Sequence, residues 1–266
     1  MAVRPDVDPE SLLHLDGILP EDEVHVWHVD LAAWDKEADS LRELLDTTER
    51  QRAARFKFPE PRNQFLISRA LLRRALGSYL RLQAHEVRFR TTANGKPELA
   101  ANPDVRVNDL HPDDLRFNLS HTDGAAVFAI VRRRQVGVDV ERIRRGTNAI
   151  ELAERFFSHP EVQWLQSQPT AEHIPSFYSC WTAKEAYIKA HGEGLSMPLS
   201  GFGVLPRLTG SELQLEVYAN ADESQRWSMW RLELGQGLRA ALAVEGRNCK
   251  MRVGEWPSPD TEPNTP

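Results

Sequence analysis

Two short stretches hold the residue types needed for chemistry on phosphate. One runs from Trp181 to Leu195, WTAKEAYIKAHGEGL; the other, GVDVE, runs from Gly137 to Glu141. At helical spacing Trp181, Glu185 and Lys189 fall at i, i+4 and i+8 and share one face. In GVDVE, strand alternation sends Asp139 and Glu141 to one side and Val138 and Val140 to the other. Three carboxylates and a lysine can then meet where a strand end faces a helix. Hard oxygen ligands beside a cation are what a Mg²⁺-bound phosphate site requires. Each piece also has a plainer meaning. Asp139 and Glu141 can be acids on the solvent face of an edge strand, and Glu185 and Lys189 an i,i+4 surface ion pair.

Other chemistry-bearing groups lie upstream. Phe117-Asn118-Leu119-Ser120-His121 sets a hydroxyl beside an imidazole just before a turn. A hydrolytic Ser-His pair is disfavoured, because side chains adjacent in sequence point apart and no GxSxG elbow is present. Phosphate contact by Ser120 and His121, with Asn118 holding the turn, fits better; a hydrogen-bonded structural histidine is the alternative. Lys96, fixed between Gly95 and Pro97, can present an ammonium to a phosphate or simply sit in a loop. Arg50, Arg52, Arg55, Lys57, Arg62, Arg69, Arg73 and Arg74 face the single acid Glu60 across the same stretch. Such a run usually marks a solvated helix face, yet arginine forks also match phosphate oxygens. No Walker A loop, GxGxxG, HExxH or Cys/His zinc spacing occurs.

The elements that must position these groups follow from the apolar pattern. EVHVWHVDL at Glu23 to Leu31 alternates like a strand. Helices are expected over 36–56, with Leu41, Leu44 and Leu45 as the apolar face, and over 61–82, with Phe65, Leu66, Leu72, Leu76 and Leu80 buried. Asn94-Gly95 marks a turn. Strands are expected over 116–119 and 125–131, then, past a hairpin tip at Arg132-Arg133-Arg134, over 136–142. Helices follow over 148–157 and 175–191, ended by Gly192. Antiparallel strands complete the chain over 203–208, 214–219, 227–234 and 239–245. Each half thus has a long helix and several strands. The expected division is a flexible segment 1–20, an N-terminal half 21–135, a C-terminal half 136–250 bearing the acids, and a flexible tail 251–266. Phe156 and Phe157 read as packing.

Composition narrows the partners. With 266 residues, 41% hydrophobic and 27% charged, the chain can bury real cores. A net charge of -6 argues against general nucleic-acid binding, while the local basic run suits a compact anion. Cys180 and Cys249 make no disulfide framework, no CxxC is present, and no apolar run approaches the ~20 residues of a membrane span. A cytoplasmic protein without membrane contact is expected.

Taken in order, Gly95-Lys96-Pro97, FNLSH at 117–121, GVDVE, FFSHPE at 156–161 and WTAKEAYIKAHGEGL resemble the 4′-phosphopantetheinyl transferases of the surfactin-synthetase-activating (Sfp) type, over about residues 24–245. The resemblance implies an α+β fold of two similar α/β halves packed as an intramolecular pseudo-dimer, with coenzyme A in the cleft. It implies transfer of the phosphopantetheine arm to a serine of an apo acyl, peptidyl or polyketide carrier protein, releasing adenosine 3′,5′-bisphosphate. By the same resemblance Asp139, Glu141 and Glu185 match Mg²⁺ ligands, Lys189 and His121 match groups on the pyrophosphate, and Ser120 and Lys96 match coenzyme A contacts. Glu185 is the candidate base. Some members carry a basic residue where Glu49 stands, so the 3′-phosphate is assigned to Arg50, Arg52 or Arg62. A monomer is expected, since two halves build one cleft. Two rivals remain open: a non-catalytic coenzyme A or carrier-binding module, and a Mg²⁺-dependent coenzyme A phosphohydrolase.

Overall fold

The computed structural model describes residues 19–100, 111–192, 197–206, 210–218 and 220–260. Two sheets are stacked between two long helices. The first sheet has the order β11-β1-β5-β4 and the second β6-β10-β9-β8-β7. Their strands are β1 (Glu23–Asp30), β4 (Leu115–Thr122), β5 (Ala125–Arg132), β6 (Val136–Arg142), β7 (Phe202–Pro206), β8 (Glu212–Val217), β9 (Trp227–Leu232), β10 (Leu238–Glu245) and β11 (Lys250–Glu255). A small hairpin of β2 (Phe89–Thr91) and β3 (Pro97–Leu99) stands apart. The helices are α1 (Thr47–Ala53), α2 (Pro59–Leu80), α3 (Ala149–Phe156), α4 (His159–Gln166), α5 (His173–His191) and α6 (Ala221–Gln225).

Alternation explains the layering. On β5, Ala126, Phe128 and Ile130 join the core under α2, while Ala125, Val127, Ala129 and Val131 join the core between the sheets. On β10, Ala240, Leu242 and Val244 meet that same middle core, while Ala241 and Ala243 pack under α5 with Ala183, Ala186 and Tyr187. Strands buried on both faces read as near-continuous apolar runs, which AAVFAIVR and LRAALAVE are. The order is helix, sheet, sheet, helix, and the chain crosses between the sheets at Arg133, whose φ is 57°.

Several expectations need correction. Residues 36–56 do not form one helix: 3-10 turns at Ala32–Glu37 and Ser40–Leu44 are followed by α1. The break comes from a capping box, in which Asp46 accepts the Glu49 N–H (2.9 Å) and Glu49 accepts the Asp46 N–H (3.2 Å). The Arg132–Arg134 segment is not a hairpin tip, because β5 and β6 lie in different sheets. The tail from 251 was expected to be flexible, yet β11 pairs in parallel with β1 and Trp256 is buried against Trp27 (ring centroids 5.3 Å). KMRVGE hides this strand, since its charged residues suit an outer edge. Leu19 is buried in the core under α2. Residues 1–18 and 261–266 of the expected flexible segments, the 207–208 and 219 ends of two expected strands, and Glu193 to Leu195 of the opening motif lie outside the described residues. Among the described residues no helix is long and apolar enough to cross a membrane.

Helix α5 approaches β6 most closely at Gly137. A Cβ there would meet Ala186 O at 2.1 Å and Ala190 N at 2.3 Å, both backbone atoms that cannot swing away. Gly137→Ala should therefore cost about 3 kcal/mol or more, read as a lowered urea midpoint with an unchanged m-value. An unchanged midpoint would show that α5 does not need this contact.

Candidate active site

The two sheets meet edge to edge where β4 runs beside β6. Each strand has its other edge paired within its own sheet, so β6 presents backbone N–H groups with no strand partner among the described residues. Side chains of β4 take them. Val138 N donates to Asn118 Oδ1 (2.9 Å), Val140 N to Ser120 Oγ (3.4 Å) and Arg142 N to Thr122 Oγ1 (3.2 Å). Asn118, Ser120 and Thr122 share one side of β4 at period 2, which lets them act as a ladder. A buried N–H without a partner costs about 1–3 kcal/mol, so this polar seam holds the halves in register.

The catalytic candidates gather on it. Val136, Val138 and Val140 face the middle core, which turns Asp139 and Glu141 toward α5. Lys189 Nζ donates to Asp139 Oδ1 (2.6 Å) and to Ser120 Oγ (3.0 Å), and Ser120 Oγ donates to Asp139 Oδ1 (2.8 Å). Lys189 therefore reaches across to the strand rather than serving as an i,i+4 partner of Glu185. Asp139 is 3% exposed, and its Oδ2 has no hydrogen-bond partner among the described residues. Glu141 is fixed by Thr122 (3.4 Å). Burial, then the nearby Asp139 charge, raises the pKa of both Glu141 and Glu185. These three carboxylates are close enough to repel, yet no three acid, His or Cys side chains of the described residues form a ready ion cage. His121 is exposed on the α2 side of β4. Desolvation by its surroundings, then the charges of Lys189 and Arg52, lowers its pKa.

The basic run of 50–74 divides by role. Arg73 is fully buried, donating to Glu49 Oε2 (2.7 Å), Asp46 Oδ2 (2.7 Å), Val87 O (2.6 Å) and Ala84 O (3.2 Å). Arg69 shares Glu49 with it (2.8 Å). Arg50 holds Leu45 O (2.7 Å), and Arg62 turns to Asn63 (3.0 Å) and Asp39 (3.2 Å). Of the three arginines expected at the 3′-phosphate, only Arg52 is near His121; it is exposed, with its guanidinium over Phe65 (5.0 Å). Lys96, from the β2–β3 hairpin, reaches Val136 O (3.3 Å) and Ala190 O (3.4 Å), while Asn94 Nδ2 donates to Gly192 O (2.9 Å). The hairpin of the first half thus latches the end of α5.

Asn118, expected to hold the turn, instead sits within β4 and accepts from β6. Two contributors escaped the sequence reading, Thr122 of the ladder and Lys184. Lys184, one residue before Glu185, is fully buried and pairs with Glu161 Oε2 (2.7 Å), and it donates to Phe202 O (2.6 Å). Glu161 also accepts from Ser158 N and Val204 N (2.9 and 2.8 Å). This knot fixes the rotation of α5, so Lys184 points to β7 while Glu185 and Lys189 point to the seam. Trp181 stacks with Phe177 (5.9 Å) in the aromatic cluster beneath.

The fold is thus a two-sheet protein with an acid, a hydroxyl and an ammonium gathered where β4 runs beside β6. A sequence model of the 4'-phosphopantetheinyl transferase superfamily matches residues 135–243, and one of the 4'-phosphopantetheinyl transferase N-terminal region matches 29–132. The chain is 34% identical over 230 residues to 4'-phosphopantetheinyl transferase HetI of Nostoc sp., spanning 86% of this chain and 90% of that protein. It is 32% identical over 168 residues to a 4'-phosphopantetheinyl transferase of Bacillus subtilis (63% of this chain, 69% of that one). To 4'-phosphopantetheinyl transferase Sfp of the same organism it is 30% identical over 169 residues (64% and 70%). The chain belongs to the 4'-phosphopantetheinyl transferases, of the Sfp type.

Burial lowers the Lys96 pKa from 10.5 to about 8. The unfolded chain then binds the extra proton between pH 8 and 10.5, so this lysine makes stability rise with pH across that window. Wild type should gain stability over Lys96→Met as pH rises from 8 to 10 in urea titrations. Parallel profiles would show that Lys96 is solvated.

Proposed function

We propose that the protein transfers the 4′-phosphopantetheine arm of coenzyme A to a serine of an apo carrier protein, with Mg²⁺ held by Asp139, Glu141 and Glu185. The observation that carries this reading is the convergence of Asp139, Ser120 and Lys189 on the seam, with Asp139 Oδ2 lacking a hydrogen-bond partner among the described residues. The donor set fits the ion: three mutually repelling carboxylates with one ammonium suit a hard divalent cation. When bound, Mg²⁺ would neutralise pyrophosphate charge and orient its oxygens.

The residues of the chain supply the rest. The carrier serine oxygen attacks the β-phosphorus of coenzyme A, forming a new O–P bond. The bond to the α-phosphate breaks, and its electron pair leaves with adenosine 3′,5′-bisphosphate. A serine hydroxyl is a poor nucleophile at neutral pH, so its proton must be taken. Glu185 is the base in this reading, directly or through a water, because its carboxylate lies beside Asp139, Glu141 and Lys189 at the seam. Lys189 places an ammonium against the leaving phosphate, and His121, kept neutral near pH 7, can donate an N–H to a phosphate oxygen. Arg52 is the favoured 3′-phosphate contact, and Lys96 adds positive charge at the cleft wall. One complete seam per chain supports a monomer as the working unit. The free thiols Cys180 and Cys249 agree with a reducing compartment such as the cytoplasm.

Incubation with Mg²⁺, coenzyme A and an apo carrier should add the phosphopantetheine mass to the carrier in intact-mass spectra. No shift across acyl, peptidyl and polyketide carriers would refute the proposal, and release of adenosine bisphosphate without any carrier would mark a phosphohydrolase instead. Glu185→Gln should lower kcat by roughly 10²–10⁴ while calorimetry still detects coenzyme A binding; unchanged turnover removes Glu185 as base. Arg52→Ala should raise KM for coenzyme A by about tenfold or more with little change for 3′-dephospho-coenzyme A. Equal losses with both would place this arginine elsewhere.

A further inference from the structure

On the side of α5 turned away from Glu185, an open cavity of ≈ 860 Å³ lies between the first turns of that helix and the second sheet. Its size falls within the range of small-molecule sites, about 300–1,000 Å³. Cys180, Val204 and Leu213 give it an apolar floor, and Ser176 and Ser179 add hydroxyls from α5. None of these groups belongs to the seam.

Two arginines line it. Arg231 pairs with Ala241 across β9 and β10, and Arg239 lies two residues along β10 from that alanine. Both therefore occupy the α5-facing side of the sheet, as diagonal neighbours within reach of one ligand. Arg231 Nη2 donates to Gly210 O (3.1 Å) and Arg239 Nη1 to Leu238 O (2.8 Å), backbone carbonyls that carry no net charge. Within 4.0 Å neither guanidinium has a carboxylate among the described residues, although Glu141 is the cross-strand partner of Arg239. Glu172 and Glu233 also line the cavity but are exposed, whereas both arginines are half-buried. Two adjacent, partly desolvated cations are stabilised by a shared anion, and guanidinium forks match carboxylate and phosphate oxygens.

We propose that this cavity is a second binding site, separate from the coenzyme A seam, for an amphipathic anion. Arg231 and Arg239 grip a carboxylate or phosphate head, and an unbranched apolar tail lies over Cys180, Val204 and Leu213. The charge of the head selects the ligand, and the floor sets the tail.

Calorimetry on the full chain with decanoate and decyl phosphate, each below its micelle concentration, tests this and separates the two head groups. Saturable one-site binding of at least one anion is expected, undiminished by saturating coenzyme A, with decanol and decyltrimethylammonium binding far more weakly. The double variant Arg231→Met, Arg239→Met should weaken binding about tenfold or more, and Arg231→Met alone should weaken it while leaving phosphopantetheinyl transfer unchanged. Leu213→Trp, which fills the floor, should shorten the tail that is accepted. No saturable binding of either anion, equal binding of the neutral or cationic probes, competition by coenzyme A, or undiminished affinity in the double variant would each overturn the proposal.

Discussion

The polar seam between β4 and β6 is the constraint on which the rest of the molecule depends. Two sheets that merely stacked face to face would be held by non-directional apolar contact and could slide. The three side-chain acceptors Asn118, Ser120 and Thr122 remove that freedom, because each meets one β6 N–H at a set spacing. The seam also creates the site. Ser120 accepts from β6 and Lys189 while donating to Asp139, so the joint that aligns the halves positions the Asp139 carboxylate as well.

Each half then braces its long helix in the same way. A capping box places a glutamate at the third residue of a short helix: Asp46 with Glu49, and Ser158 with Glu161. That glutamate pairs with a fully buried cation on the long helix, Arg73 of α2 or Lys184 of α5. Removing one member would strand a buried charge, a loss typically of about 3–5 kcal/mol. The halves thus share a device as well as an outline. In the second half the device has a further consequence, because Lys184 and Glu185 are neighbours: anchoring one on β7 aims the other at the seam.

How much was legible in the sequence follows from how local each cause is. The strand at Glu23 and the helices bearing Phe65 and Glu185 could be read from period alone, as could the opposition of Asp139 to its flanking valines. The 36–56 segment misled because Leu41, Leu44 and Leu45 mimic a helical stripe, while the Asp46–Glu49 box that ends it depends on only two residues. β11 was hidden because an edge strand needs only Met251 and Val253 as apolar contacts, and its parallel partner β1 lies at the other end of the chain. Arg73 looked like part of a solvated basic face; its burial depends on Glu49 and on the backbone of 84–87, which no local pattern reveals.

By itself the sequence determined the kinds of element, the set of acids and cations, and the family to which the chain belongs, because periodicity and motif order are properties of contiguous residues. Tertiary structure decided which charges meet. It gave Lys189 to Asp139 rather than to Glu185, spent Arg69 and Arg73 on Glu49, and left Arg52 as the expected arginine near His121. Those choices rest on distances between groups far apart in the chain, and only packing two sheets against each other sets them.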